Sequence, residues 1–355
     1  MKINRKTNMT PKQRVLDQIN HQETDPVPYT LSFETPEIML NLDAYYGSPT
    51  WRERLDNHIL ETPLPHPLLG IPGERTGETA ILSDLFGARW AMHKRPAHLV
   101  EPPIKEPNLN TFTFPPVEAC FENDWESQVS NFVAEHPDYF ILASPGFGIF
   151  ERTWVLRGFE DMLMDVAVNP EFYCELITVI TDHQLAILDR MLKAPLDGIL
   201  FSDDWGYQEG VLMGPGRWRR FVKPQLQRLY ARVHQAGKIA LNHVCGSVRE
   251  IMPDLIEIGL DVLESVQPEA KGMNPYELKS EFGQHITFWG GLGSQSTIPY
   301  GTPLEIRNEV GRLISEMSVG GGYILAPAKG IQPETPVENM AALVESFIVQ
   351  EMAEG

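Results

Sequence analysis

An imidazole and a thiol stand two residues apart in His243-Val244-Cys245-Gly246, which follows the apolar run Lys238-Ile239-Ala240-Leu241-Asn242. On an extended segment, residues two apart project to the same side. A thiolate and a neutral imidazole are ligands that zinc favours, so the pair forms half of a metal site. The glycine that follows lets the backbone turn away. The remaining donors must come from other segments that end nearby.

Several segments share the same plan of a short apolar run followed by polar or Gly/Pro residues. Residues 198–202 lead into Asp203-Asp204-Trp205-Gly206, residues 261–263 into Glu264, and residues 286–289 into Gly290-Gly291. Residues 322–325 lead into Ala326-Pro327-Ala328-Lys329-Gly330, and runs at 27–31 and 139–142 complete the set. Such runs read as buried parallel strands. Between them, helical periodicity spans 215–236, 247–258, 302–317, 336–352 and 159–192, the last broken at Asn169-Pro170. Ser247 with Glu250, and Thr302 with Pro303 and Glu305, have the spacing of helix starts.

Strand followed by helix, at least six times, predicts an α/β protein, a (β/α)8 barrel in preference to an open doubly wound sheet. The reading is one domain over residues 10–355, with residues 1–9 frayed and an irregular excursion at 62–110 over the barrel mouth. A barrel gathers its strand ends on one rim. That rim brings Asp203, Asp204, Glu264 and Lys329 towards His243 and Cys245. One aspartate of the pair is expected to cap the helix that follows, and the other to serve the site. Glu264 is either a third ligand or a rim ion pair. Trp205, Tyr207 and Trp289 either line a pocket or pack as core, and Gly290-Gly291 is expected to make a tight turn.

The chain has 355 residues, 42% of them hydrophobic, enough to bury one large core. Its net charge of −19 argues against a nucleic-acid partner or an anionic membrane surface. No apolar run reaches the roughly 18 residues of a membrane span. Lys2, Arg5 and Lys6 precede no apolar stretch, so no secretory signal is expected. Three cysteines give no disulfide framework. A reduced, cytoplasmic protein is the expectation. No Gly-x-Gly-x-x-Gly or Walker lysine motif implies a nucleotide.

The chain also resembles the uroporphyrinogen decarboxylase superfamily. The likeness rests on residues 9–16 and 20–28, on Asp203-Asp204-Trp205-Gly206 with Gln208-Glu209-Gly210, and on Phe221-Val222-Lys223-Pro224. Residues 243–246, 288–292 and 333–339 continue it. The resemblance implies a (β/α)8 barrel and two chemistries. In decarboxylases an arginine-rich motif holds substrate carboxylates, whereas Ser32-Phe33-Glu34-Thr35-Pro36-Glu37 contains no arginine. Ser83-Asp84-Leu85 echoes the aspartate motif that holds pyrrole NH groups in those enzymes.

The likeness is greater to cobalamin-dependent methyltransferases, which move a methyl group between a small molecule and a corrinoid on a partner protein. There a His-x-Cys motif and a later cysteine hold zinc, which activates a thiol. His243 and Cys245 match two of these ligands, while Lys329 stands at the third, cysteine position. Glu264 or an aspartate of the 203–204 pair then completes the shell, or Lys329 replaces the metal as a fixed charge. Asp203, Asp204 and Lys329 are the catalytic candidates, and Asp84, Trp205, Gln208 and Trp289 the substrate-binding ones. A metal-free decarboxylase and a non-catalytic corrinoid- or tetrapyrrole-binding barrel are the alternatives, and the resemblance leaves a homodimer open.

Overall fold

The computed structural model describes residues 9–72, 81–92 and 97–352. Of the segment expected to fray, residues 1–8 lie outside the described residues. Seven parallel strands follow one another around a single sheet in chain order. They are Ile59–Glu61, Phe140–Ala143, Gly198–Ser202, Ile239–His243, Val262–Val266, Thr287–Leu292 and Tyr323–Pro327. Residues 27–31 close the ring. On one side the Thr30 N–H donates to the Leu325 carbonyl (3.0 Å) and the Leu325 N–H to the Pro28 carbonyl (2.9 Å). On the other, the His58 N–H donates to the Tyr29 carbonyl (3.0 Å). Eight staves thus form a (β/α)8 barrel rather than an open sheet.

The two-residue alternation of the strands separates two cores. Phe140, Leu142, Leu200, Leu241, Val262, Trp289, Ile324 and Ala326 pack together inside the barrel. Ile141, Ile199, Phe201, Ala240, Leu263, Phe288 and Leu325 belong instead to the shell shared with the helices. Val15 joins the interior group, backed by Leu16 and Ile19. These residues lie on the Pro11–Ile19 helix, whose first turn is capped by Thr10. That helix plugs the end of the barrel opposite the loaded strand ends.

Local signals explain most helix boundaries. Thr302 and Glu305 form the reciprocal capping box of the Pro303–Met317 helix. The 159–192 stretch divides at Asn169 into Phe159–Val168 and Pro170–Met191. The 215–236 stretch also divides, at Val222, where proline occupies the start of Lys223–Gln235. The helix expected over 247–258 is shorter than its periodicity suggests. Ser247 caps nothing: the first turn begins after Val248, and the Ser247 hydroxyl donates instead to the Lys271 carbonyl (2.6 Å). Only a 3-10 turn at Arg249–Ile251 and the Met252–Glu257 helix form.

Gly290 and Gly291 do not make a turn, correcting the expectation for them. Both lie within the Thr287–Leu292 strand at positive φ, 125° and 93°. A Cβ on Gly290 would lie 2.8 Å from the Val266 nitrogen. The glycine therefore lets this strand pass the irregular stretch between Glu264 and Val266 on its neighbour. The excursion carries a small antiparallel sheet of Ile81–Ser83, Arg89–Ala91 and His98–Glu101. Strands of three or four residues are too short to show a period in the sequence. Among the described residues no helix is long and apolar enough to cross a membrane.

Candidate metal and substrate site

In the sheet, His243 and Glu264 are direct partners in parallel register, and both face the barrel interior at its open end. Residue 265 explains how Glu264 is aimed. Ser265 has φ of 70°, rare for a residue with a side chain. Its hydroxyl donates to the Ala328 carbonyl (2.6 Å), which holds the bulge in place. Glu264 Oε2 accepts from His243 Nδ1. This bond leaves His243 Nε2 free to face a second group of side chains.

That group consists of Cys245 and Asp204. Cys245 Sγ lies 3.4 Å from His243 Nε2, and Asp204 Oδ1 lies 3.7 Å from it. The ligand atoms of Asp204, His243 and Cys245 all fall within 4.8 Å of one another. Zinc–ligand bonds of about 2.0–2.3 Å at tetrahedral angles separate neighbouring donors by roughly 3.3–3.8 Å. The sulfur and the oxygen each stand at that spacing from His243 Nε2. The Cys245 N–H also donates to Asp204 Oδ1 (2.6 Å), which ties the two segments together. Gly246, at φ 76°, turns the chain against the Tyr207 backbone, where a Cβ would lie 2.6 Å from the Tyr207 nitrogen.

Glu264 therefore occupies a different place from the one expected of a ligand. It sits behind His243, on the ring nitrogen that faces away from Cys245 and Asp204. Burial disfavours a charged imidazole, but Glu264 and Cys245 outweigh it and hold His243 well above its ordinary pKa. Glu61 ends the Ile59–Glu61 strand and faces the same opening. Burial, and then Glu264, push its carboxyl above the usual range. Glu151, in the first turn of Ile149–Arg157, is pushed well above it by burial and by Asp203 and Asp204.

The other expected residues are distributed differently. Asp203 is completely buried, and its two oxygens accept the Phe150 (3.1 Å) and Glu151 (2.8 Å) N–H groups. It caps the Ile149–Arg157 helix, some fifty residues earlier in the chain, not the one following. Gly148 permits this approach, since a Cβ there would lie 2.3 Å from that of Asp203. Burial lifts the Asp203 carboxyl to about 7. Trp205 is buried edge-on against Trp218. Gln208 lies on an exposed hairpin and donates to Gln295 (3.3 Å).

Asp84 lies apart from the cluster. It accepts the Phe86 and Ala88 N–H groups (both 2.9 Å) and pairs with buried Arg152 at 3.2 Å. Phe86 covers the guanidinium at 3.9 Å. Burial raises the Asp84 carboxyl despite Arg152, and pulls the Arg152 guanidinium down to about 10. Lys329 and Trp289 do reach the opening. With His243, Glu264 and Glu61 they line a cavity of about 350 Å³. Trp289 Nε1 donates to Thr30 Oγ1 (2.8 Å).

Sequence reasoning missed Glu61 and Glu151. Glu61 follows only Ile59 and Leu60, too short a run to stand out. Glu151 carried one signal, as an acidic residue three positions after the glycine that precedes its helix.

Comparison with known proteins matches residues 153–348 to the family model "Uroporphyrinogen decarboxylase (URO-D)". A methylcobamide:CoM methyltransferase of Methanosarcina barkeri is 29% identical over 175 residues, 49% of this chain and 48% of that protein. A uroporphyrinogen decarboxylase of Thermus thermophilus is 30% identical over 186 residues, 50% of this chain and 48% of the relative. The chain thus spans about half the length of the curated relatives it matches. A solved methyltransferase structure from Methanosarcina mazei superposes with a TM-score of 0.70 at 20% identity. It covers 98% of this chain and 100% of its own, and supports the fold.

Proposed function

The chain belongs to the uroporphyrinogen decarboxylase family, and from that premise we propose a metal-assisted methyltransferase that works with a corrinoid-carrying partner protein. The observation that carries this reading is the convergence of Asp204, His243 and Cys245, with Glu264 on the far nitrogen of the imidazole. In it Asp204, His243 and Cys245 would hold zinc. Bound there, zinc supplies Lewis acidity towards the oxygen, sulfur or nitrogen that carries the methyl group.

The residues of the chain do the rest. Glu264 fixes the His243 ring so that Nε2 presents its lone pair to the cluster. Asp203 holds the first turn of Ile149–Arg157 beside Asp204. Trp289, Leu142 and Leu200 give the cavity an apolar wall that limits water around the reacting group. A decarboxylase acting on a many-carboxylate substrate fits this cavity poorly, because Lys329 is the sole lysine or arginine among its lining residues.

Metal analysis tests the reading. Purified wild-type protein is expected to carry one equivalent of zinc, and Cys245→Ala to lose it while its unfolding transition is preserved. Well-folded wild-type protein without metal after zinc supplementation removes the reading. A second reading, a metal-free carboxy-lyase, is favoured by Lys329 standing in the cavity. Release of carbon dioxide from a substrate by zinc-free protein, with no corrinoid protein added, would establish it instead.

A further inference from the structure

We propose that a cleft at the end of the barrel opposite His243 binds a phosphate group, with His21 and Lys279 as the cations that receive it. The cleft encloses about 450 Å³, within the range of small-molecule sites, and His21, Lys279, Ser280, Gln284, Glu316 and Gly320 line it. His21 follows the Pro11–Ile19 helix that plugs this end, and Gly320 to Gly322 lead into the Tyr323–Pro327 strand. The first observation is how the imidazole is placed. His21 has φ of 56°, a left-handed conformation uncommon outside glycine. Gly321 and Gly322 fold around it at φ 73° and 76°. A Cβ on Gly321 would lie 2.4 Å from the His21 carbonyl carbon, and one on Gly322 2.9 Å from the imidazole Nδ1. The N–H groups of Gly320, Gly321 and Gly322 already donate to Glu23 (2.8 Å), Ser318 (2.9 Å) and Gln18 (2.7 Å). The glycines therefore shape the wall and leave binding to side chains.

The second observation is positive charge without a matching acid. The Lys279 ammonium donates to the Gly321 carbonyl, which engages one of its three donors, and no ion pair closes on it among the described residues. Burial lowers its pKa, and Glu23, the carboxylate opposing this, is held by the Gly320 N–H. Burial, then Lys279 and then His285, lower His21 as well, against the Gly283 carbonyl. Glu316 on the wall is paired with Arg312 (2.9 Å). Ser280 and Gln284 add a hydroxyl and an amide that have no partner among the described residues. Two half-buried cations beside neutral donors complement a group with two charges and three acceptor oxygens, a phosphate rather than a carboxylate. Its arrival supplies the missing counter-charge and draws a proton onto His21.

The test is isothermal titration calorimetry of the full chain with inorganic phosphate, glycerol 3-phosphate and uncharged glycerol, at an ionic strength matched with chloride. Wild type is compared with His21→Asn and Lys279→Gln. Asparagine tolerates the left-handed backbone, and glutamine keeps a donor for the Gly321 carbonyl. An unfolding midpoint close to that of wild type shows that each variant is folded, and should one fail, the other decides. At least one phosphate compound is expected to bind saturably and glycerol not at all. Each folded variant is expected to weaken that binding roughly tenfold or more, the loss of one charge-assisted hydrogen bond. Equal affinity for the two phosphates supports the proposal with free phosphate as the ligand, and a tighter ester supports it with an organic phosphate. Wild-type protein that binds neither at millimolar concentration overturns it. So does binding that a folded variant keeps, since phosphate also stabilises proteins generally by exclusion from their surface.

Discussion

Two corners of the molecule place a carboxylate beside a basic group, and they differ in how completely the partners are satisfied. At Asp84–Arg152, two backbone N–H groups, a guanidinium and an aromatic ring enclose the acid. The gap left there is about 20 Å³, too small for an organic ligand. At His243–Glu264, the outer imidazole nitrogen faces a thiol and a carboxylate, and the pair borders about 350 Å³ of open space. Closed charge accounting of the first kind fastens the excursion to the barrel. Open accounting of the second kind leaves donors for something else. Charged residues at strand ends alone do not separate the two; their partners do.

The largest expected effect tests the closed corner. Arg152→Ala strands Asp84 in the interior and should cost about 3–5 kcal/mol in denaturant unfolding. A loss below 1 kcal/mol would mean that Asp84 is solvated and the contrast false. At the open corner, Glu264→Gln should weaken zinc binding by roughly 10–100-fold in competition with a chelator, with little change in stability. Equal zinc affinity would remove Glu264 from its orienting role. The smallest effect is expected at Gln208→Ala, on an exposed hairpin outside both corners. Its stability should stay within about 0.5 kcal/mol of wild type, with zinc content unaltered.

Much of the barrel was legible because its strands end in residues of unusual chemistry. The runs ending near Asp203, His243, Glu264 and Lys329 all became staves. The capping box at Thr302 and the break at Asn169 were equally plain, since both depend on neighbours in sequence. What escaped depends on distant neighbours. Asp203 and Asp204 are adjacent and chemically identical, yet one caps a helix some fifty residues earlier and the other joins the cluster. Only the packing of Gly148 against Asp203 decides between them. Glu264 has the chemistry of a ligand, but register with His243 sets it behind the ring.

The Ser265–Ala328 hydrogen bond couples the two poles of the opening. It joins the residue after Glu264 to the residue before Lys329, so neither pole can shift without tugging on the other.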